Sequence, residues 1–242
     1  MDNFLKHTSI LKNILQNKKF TKKGLLIFDL DGTLIDSKKD IINSFNYAFK
    51  KNKLDLIDNS FFFKNASKGS TYFIKKNIKK INLQNISITK INNDFINHYS
   101  KNCVQNTVYK KGLIKFLKQS KKKYINIIST NKKKAIAEKI CKNLKILEYF
   151  DEIYGSDTLL QKKPSKKHLD EILKKYRVKK SKIAIFGDSE VDYKLSSHYK
   201  IKYILVKNGY TDKKFWEIKH NLLINDFNDL LKSINKLLNI KN

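Results

Sequence analysis

The feature that most constrains the fold is a short apolar run that ends abruptly in two carboxylates. Residues 24–28 are Gly-Leu-Leu-Ile-Phe, and Asp29-Leu-Asp31-Gly-Thr33 follows directly. An apolar run of this length, bounded by turn residues, is typical of a buried strand. Two carboxylates packed at a strand end repel each other and lose hydration, so we expect a cation or a substrate beside them. We interpret Asp29 as a nucleophile next to a magnesium ion.

Strands and helices alternate along most of the remaining chain. This alternation predicts a parallel sheet with right-handed crossovers. From about residue 54 to 108 the apolar clusters recur at helix period without strand-like alternation, which predicts a small helical insert. The predicted strands cover residues 24–28, 124–128, 152–154, 182–186, 202–206 and 222–224, and the predicted helices of the sheet region cover 39–51, 112–117, 133–143, 166–177, 192–198 and 226–238.

The charge of the chain raises the question of a nucleic-acid or anionic-membrane partner. The chain has 52 basic and 22 acidic residues, with a formal net charge of +30. Its lysines are spread over every segment and Arg177 is its one arginine, whereas specific nucleic-acid proteins use arginine forks and interleaved aromatics. We favour a compositional drift and expect no specific nucleic-acid partner, although the charge should attract phosphorylated substrates.

Cysteine usage and hydropathy predict a cytoplasmic protein. Cys103 and Cys141 lie far apart without metal-like spacing, as expected for free thiols in a reducing compartment. No stretch approaches the roughly 20 apolar residues of a membrane span, and residues 1–22 lack the apolar centre of a signal peptide. We expect those residues to form a short amphipathic helix or a frayed extension, and the protein to be a monomer or dimer without membrane attachment.

Other reactive side chains also follow predicted strands. Thr130, Lys163 and Asp188 each lie beyond the carboxyl end of a strand, as Asp29 does. Parallel strands place these ends on one edge of the sheet, so the groups should converge in one cleft. A set of carboxylates, a hydroxyl and an ammonium suits phosphoryl transfer. Oxygen ligands without histidine or thiolate point to Mg²⁺, held by Asp29, Asp188 and a backbone carbonyl.

Four motifs in this order resemble those of the haloacid dehalogenase-like superfamily. They are Asp29-Leu-Asp31-Gly-Thr33, Thr130-Asn131-Lys132, Lys163-Pro164 and Gly187-Asp188-Ser189-Glu-Val-Asp192. Within it the chain is similar to the phosphoglycolate phosphatase-like branch. The resemblance implies an α/β fold, with a Rossmann-like three-layer core around a parallel sheet and a small α-helical cap inserted after the first strand. The predicted division is an N-terminal extension (1–22), the core (23–37 and 109–242) and the cap (38–108).

The resemblance also implies roles for the residues that contact the phosphoryl group. Asp29 would attack the phosphorus and form an aspartyl-phosphate. Asp31 would protonate the leaving oxygen and then activate the water that cleaves the intermediate. Thr130 and the backbone near Asn131 would donate to phosphoryl oxygens, and Lys163 would neutralise the transferring group.

The metal set implied by the resemblance is the Asp29 and Asp188 side chains with the backbone carbonyl of Asp31. Asp192 would orient a metal-bound water or Lys163. In the cap, Gly69 resembles the glycine of a loop that reaches into the cleft. The neighbouring Lys68 would pair with a substrate carboxylate or a second phosphate, although a solvated lysine is an equally good interpretation.

At some of these positions a neighbouring residue could play the same role. Ser129 competes with Thr130 for the phosphate, and Lys162 competes with Lys163, although the motif order favours the second residue of each pair. Residues 36–37, Asp-Ser, also match the sequel of the first motif, but we favour a role in capping the next helix.

The predicted function is that of a Mg²⁺-dependent phosphatase acting on a small phosphorylated metabolite, with phosphoglycolate suggested by resemblance. The alternatives are a sugar-phosphate or nucleotide phosphatase, or a phosphosugar mutase, of the same superfamily. An alternative of another class is a noncatalytic nucleic-acid-binding protein on this fold, which the net charge of +30 would favour.

Overall fold

The computed structural model describes residues 22–80 and 87–240. The N-terminal helix or extension predicted for residues 1–22 therefore lies outside the described residues, except for residue 22. Within the described ranges, six parallel strands form one sheet in the order β5-β4-β1-β6-β7-β8. The strands are β1 (Gly24–Phe28), β2 (Ile35–Asp36), β3 (Val108–Tyr109), β4 (Tyr124–Ser129), β5 (Glu152–Tyr154), β6 (Ile183–Gly187), β7 (Lys202–Val206) and β8 (Leu222–Ile224).

β1 lies at the centre of this sheet, and both of its faces are apolar. Every residue of β1 is buried, as expected for a parallel strand covered on both sides. Its neighbours are β4 and β6, with Phe28 opposite Ile128 on one side and Phe186 on the other. Asp29 therefore emerges at the same edge as the residues that follow β4 and β6.

Helices cover both faces of the sheet. Leu26 and Phe28 belong to one apolar cluster and Leu25 and Ile27 to another, since successive side chains of a strand point to opposite faces. The predicted three-layer α/β fold is thus confirmed. The helices are α1 (Lys38–Lys51), α2 (Asn59–Asn65), α3 (Ser70–Lys80), α4 (Ile88–Asn102), α5 (Leu113–Ser120), α6 (Lys134–Asn143), α7 (Lys166–Tyr176), α8 (Glu190–Ser197) and α9 (Leu230–Leu237).

The helical insert leaves and rejoins the core at one place. β2 and β3 pair antiparallel, with Asp36 opposite Val108. The buried Asp40 carboxylate near the start of α1 accepts hydrogen bonds from the backbone N–H groups of Asn106 and Thr107. The division into a core and a cap remains a prediction, and this strand pair lies at both of its boundaries.

α1 packs against the helices of the insert. The ring of Phe45 on α1 stacks on Phe73 of α3 at 4.3 Å and on Phe95 of α4 at 3.9 Å between centroids. The apolar residues predicted at helical spacing therefore bury one face of α1 against α3 and α4.

The predicted elements differ from the structure mainly at their ends. The last helix begins at Leu230 rather than residue 226, because Asp229 has a left-handed backbone (φ 48°) that a helix does not continue through. α8 begins at Glu190, which places two acidic residues in its first turn, where the helix dipole favours them. Among the described residues, no helix is long and apolar enough to cross a membrane.

Candidate active site

The predicted site residues meet at the carboxyl edge of the central strands. A cavity of about 140 Å³ lies between this edge and helices α1, α3 and α4. We call its two sides the core wall and the cap wall. The core wall is formed by Asp29, Asp31, Thr130, Asn131, Lys132, Lys133, Ile136, Ser156, Lys162, Asp188 and Tyr210, and the cap wall by Ile41, Phe45, Ala66, Ser67, Gly69, Ser70, Thr71, Phe73, Asn92, Phe95, Ile96 and Tyr99.

Lys163 connects two of the predicted acidic residues beneath the core wall. Its Nζ lies 2.7 Å from Asp29 Oδ1 and 2.7 Å from Asp192 Oδ1, and its side chain is only 3% exposed. Burial disfavours the ammonium, but the Asp192 and Asp29 carboxylates outweigh burial and raise the pKa of Lys163. Ser189 donates to the other Asp192 oxygen at 3.0 Å. A charged lysine therefore holds Asp29 and Asp192 in fixed positions.

The acidic residues carry more negative charge than this lysine balances. Carboxylate oxygens of Asp29, Asp188 and Asp192 lie within 4.8 Å of one another. Burial, with a smaller contribution from the Asp192 charge, raises the pKa of Asp188 to about 7. Burial also raises the pKa of Asp29 well above its ordinary value, against the opposing effect of Lys163. Buried oxygen ligands with unbalanced negative charge fit a hard cation such as Mg²⁺.

Two glycines allow the backbone to close around Asp188. A Cβ at Gly32 (φ +81°) would lie 2.4 Å from Asp188 Oδ2, and one at Gly209 would lie 2.1 Å from Asp188 Cβ. The carboxylate also accepts from the Thr33 hydroxyl at 3.0 Å and from the backbone N–H of Tyr210. These contacts fix its orientation, as a metal-binding carboxylate requires.

Asp31 lines the cavity together with Asp29 and has its own partners. Its Oδ1 is 2.9 Å from Lys132 Nζ and also accepts from the Ser37 hydroxyl. The predicted capping role of Ser37 is therefore wrong. Ser37 precedes α1 with φ −113° and ψ 7°, outside the extended region usual for capping residues, and its hydroxyl makes no capping bond. Asp36 does accept from the N–H of Lys38, at 3.2 Å.

The structure separates the rival candidates within each motif. The Ser129 hydroxyl pairs with His168 Nε2 at 2.7 Å, whereas Thr130 lines the cavity. Lys162 also lines the cavity, but it is exposed, in contrast to the buried Lys163. Thr130 and Lys163 are thus the residues whose surroundings resemble the predicted ones.

The loop between α2 and α3 contributes backbone rather than charge to the cavity. Gly69 lines the cavity, and the Asn131 side-chain amide donates to the carbonyl of Ser67 at 3.0 Å and to that of Lys163 at 3.2 Å. Asn131 Oδ1 is buried and has no hydrogen-bond partner among the described residues. Lys68 is absent from the cavity lining, and its Nζ lies 5.1 Å from the centroid of the Tyr72 ring.

Three residues that shape the site, Lys132, Tyr99 and Tyr210, had no role predicted from the sequence. Lys132 lies within the second motif, and its Nζ donates to the Tyr99 hydroxyl of the cap wall. The Tyr210 hydroxyl donates to Asp36 at 2.7 Å and accepts from the N–H of Ser37 at 2.6 Å. The motif position of Lys132 was a usable signal. The two tyrosines had none, because the chain folds them in from distant segments.

Comparison with known proteins points to one family. Residues 26–206 match the sequence profile described as haloacid dehalogenase-like hydrolase. A phosphoglycolate phosphatase from Mesorhizobium japonicum is 27% identical over 211 residues, covering 86% of this chain and 93% of that protein. One from Aquifex aeolicus is 28% identical over 208 residues, covering 84% and 90%.

A solved structure shows the same fold. The crystal structure described as a predicted phosphoglycolate phosphatase from Haemophilus somnus has a TM-score of 0.78 to this chain at 23% identity. The match covers 88% of this chain and 98% of that one. The agreement therefore extends over nearly the whole of the compared protein.

Proposed function

Because the chain belongs to the haloacid dehalogenase-like hydrolase family, as its four motifs predicted, we propose that it is a Mg²⁺-dependent phosphatase of a small phosphomonoester. Relatives named phosphoglycolate phosphatase support this class and make 2-phosphoglycolate the leading substrate. The observation that carries the proposal is the convergence of Asp29, Asp188 and Lys163 at one sheet edge beside a cavity. The cavity, at about 140 Å³, is smaller than the pockets of drug-sized ligands, which favours a small metabolite.

The proposed reaction has two steps at Asp29. A carboxylate oxygen of Asp29 forms a bond to phosphorus while the bond from phosphorus to the ester oxygen breaks. Asp31 gives its proton to the departing oxygen and later takes one from the water that cleaves the aspartyl-phosphate. Lys163 opposes the effect of burial on Asp29 and so favours the ionised form that attacks.

Three groups of the core are proposed to bind the phosphoryl oxygens. The Thr130 hydroxyl and the backbone N–H of Asn131 would donate hydrogen bonds from the loop after β4, and Lys163 would supply a positive charge. Such donors stabilise the charge of the transition state because they are in position before the reaction begins.

The proposed metal ligands are the side chains of Asp29 and Asp188 and the backbone carbonyl of Asp31. When bound, Mg²⁺ would neutralise charge on the phosphoryl oxygens. Asp192 contacts Lys163 and is proposed to orient it. The proposed setting is a reducing cytoplasm, which the two buried free cysteines, Cys103 and Cys141, support.

The test is hydrolysis of p-nitrophenyl phosphate by the purified chain. We expect activity with Mg²⁺, its loss with chelator, and a decrease of about 10⁴-fold or more in Asp29→Asn. Asp55→Asn, which neutralises an exposed carboxylate, is the matched control and should keep full activity. Activity that persists without divalent cations, or in Asp29→Asn, contradicts the proposal. Salt-dependent DNA binding by an inactive protein would instead favour the noncatalytic alternative.

A further inference from the structure

The cavity contains one lysine whose side chain is buried within it. Among the described residues, Lys132, Lys133 and Lys162 line the cavity. Lys133 and Lys162 are exposed, whereas the Lys132 side chain is 7% exposed. Lys68, the lysine that the sequence suggested for this purpose, does not line the cavity. Lys132 is therefore the interior cation that the leaving group of a substrate would meet.

Lys132 is held in place by both walls and can still donate another hydrogen bond. Its Nζ lies 2.9 Å from Asp31 Oδ1 on the core wall and donates to the Tyr99 hydroxyl on the cap wall. An ammonium has three N–H donors, so these two partners leave one for a ligand. Because the side chain is already ordered, little rotamer entropy is lost when a ligand binds.

Because Lys132 contacts Asp31, it should lie close to the leaving group of the substrate. Asp31 is the proposed proton donor to the ester oxygen, so the leaving group must lie against its carboxyl group. In a phosphorylated 2-hydroxy carboxylate, the carboxylate is attached to the carbon that bears this oxygen. A carboxylate there is close enough to be reached by an ammonium that contacts Asp31.

The cap wall offers a carboxylate no compensating charge. Phe45, Phe95 and Ile96 are apolar, and the hydroxyl of Ser70 donates to the Asn92 side chain at 2.6 Å. A carboxylate against these side chains would lose hydration at a large cost unless an ammonium paired with it. In such surroundings a charge-assisted hydrogen bond is also stronger than in water.

We propose that Lys132 binds the carboxylate of the leaving group, so that the enzyme selects a phosphorylated 2-hydroxy carboxylate over a neutral phosphomonoester. This inference rests on the proposed phosphatase function and deepens it. It assigns the specificity to a residue of the second motif on the core wall, whereas the sequence suggested a lysine of the insert.

The test compares 2-phosphoglycolate with ethyl phosphate, which has the same carbon skeleton without the carboxylate. The wild-type enzyme with Mg²⁺ should have a kcat/KM at least about tenfold higher for 2-phosphoglycolate. In Lys132→Met this preference should fall by about tenfold to a hundredfold, mostly because the carboxylate substrate binds more weakly and its KM rises. The ratio of the two substrates is the readout, since loss of the Asp31 contact lowers turnover of both.

Matched variants separate the charge of Lys132 from other effects. Lys132→Arg should retain most of the preference, and Lys118→Met, which removes an exposed charge outside the cavity, should leave it unchanged. In the wild-type enzyme, glycolate should inhibit p-nitrophenyl phosphate hydrolysis competitively, whereas its neutral isostere glycolamide should inhibit at least about tenfold more weakly. This last measurement needs no variant to fold.

Each result either supports or overturns the inference. Equal inhibition by glycolate and glycolamide, or an unchanged substrate ratio in Lys132→Met, overturns it, as does a loss of preference in Lys68→Met instead. A wild-type enzyme that hydrolyses p-nitrophenyl phosphate but does not prefer 2-phosphoglycolate also overturns it and leaves the phosphatase proposal intact. Absence of any Mg²⁺-dependent hydrolysis defeats the phosphatase proposal itself.

Discussion

The two walls of the cavity differ in how their side chains are held. On and beneath the core wall, largely buried carboxylates are held by lysines: Asp29 pairs with Lys163 and Asp31 with Lys132. The cap wall is apolar or uncharged, and its main contacts are stacked rings such as Phe45 and Phe95. Ion pairs in buried positions depend strongly on each partner, whereas apolar packing tolerates change more gradually.

This difference separates the two tasks of the proposed enzyme. Phosphoryl transfer requires charges fixed in advance, and the core wall supplies them from loops anchored to buried parallel strands. A cap wall without charge restricts the size and polarity of the leaving group but makes no specific ion pair with it. Substitutions in the core should therefore reduce the reaction itself, while those in the insert should act more weakly.

Of the substitutions that test this contrast between the walls, Lys163→Met should have the largest effect. This change removes the cation shared by Asp29 and Asp192, so we expect hydrolysis of p-nitrophenyl phosphate to fall by about 10²- to 10³-fold. In chelator, the variant should also lose about 3 kcal/mol of unfolding free energy, because two buried carboxylates lose their partner. Urea denaturation measures this loss.

Lys162→Met is the matched control for that prediction. It removes the same charge from the preceding, exposed residue and should change activity by less than about threefold. Equal effects of the two substitutions would mean that general positive charge, and not the buried ion pair, supports the reaction. The contrast between the two walls would then lose its physical basis.

A smaller effect is expected from substituting His168, which lies beneath the core wall. His168 pairs with the Ser129 hydroxyl and with the carbonyl of Gln161, in the loop that carries Lys163. Burial lowers the pKa of His168 to about 4. Since an unfolded histidine titrates near pH 6.5, the unfolded chain binds more protons between pH 6.5 and 4, and stability falls as the pH decreases through that interval.

The contribution of His168 to this loss is measurable by comparison with His168→Gln. Between pH 7 and pH 4.5 the wild type should lose about 2 to 3 kcal/mol more unfolding free energy than the variant, as followed by urea denaturation at both pH values. Parallel losses in the two proteins would show that His168 is not buried in its neutral form.

The strands of the core and the site residues that follow them could be predicted from the sequence because their sequence signals are local. Each strand is a continuous apolar run, and Asp29, Thr130 and Asp188 each follow one directly. Parallel topology then brings the ends of the strands to one edge without further information. The ends of helices were less certain, because a left-handed residue such as Asp229 carries no strong signal in the sequence.

The interactions that the sequence did not predict are those that join distant segments. Serine is a residue type typical of helix caps. In the fold, however, the Asp31 carboxylate lies near Ser37 and accepts a hydrogen bond from its hydroxyl. Tyr99 and Lys132 are separated by the helix α5 and the strands β3 and β4, yet they meet across the cavity. Helical periodicity identifies the buried face of α4 but does not specify which residue of the opposite wall it contacts.

The smallest effect is expected from the insert loop, where backbone and side chain can be compared at adjacent residues. Gly69 has φ 87° and ψ 158°, a conformation open almost exclusively to glycine, so Gly69→Ala should strain the loop by about 1 to 3 kcal/mol. We expect its kcat/KM for 2-phosphoglycolate to fall by about tenfold. Lys68→Met should change the same quantity by less than about twofold, because Lys68 lies outside the cavity lining. The reverse order would show that the cap wall contributes a charge that its geometry does not reveal, and the contrast between the walls would have to be withdrawn.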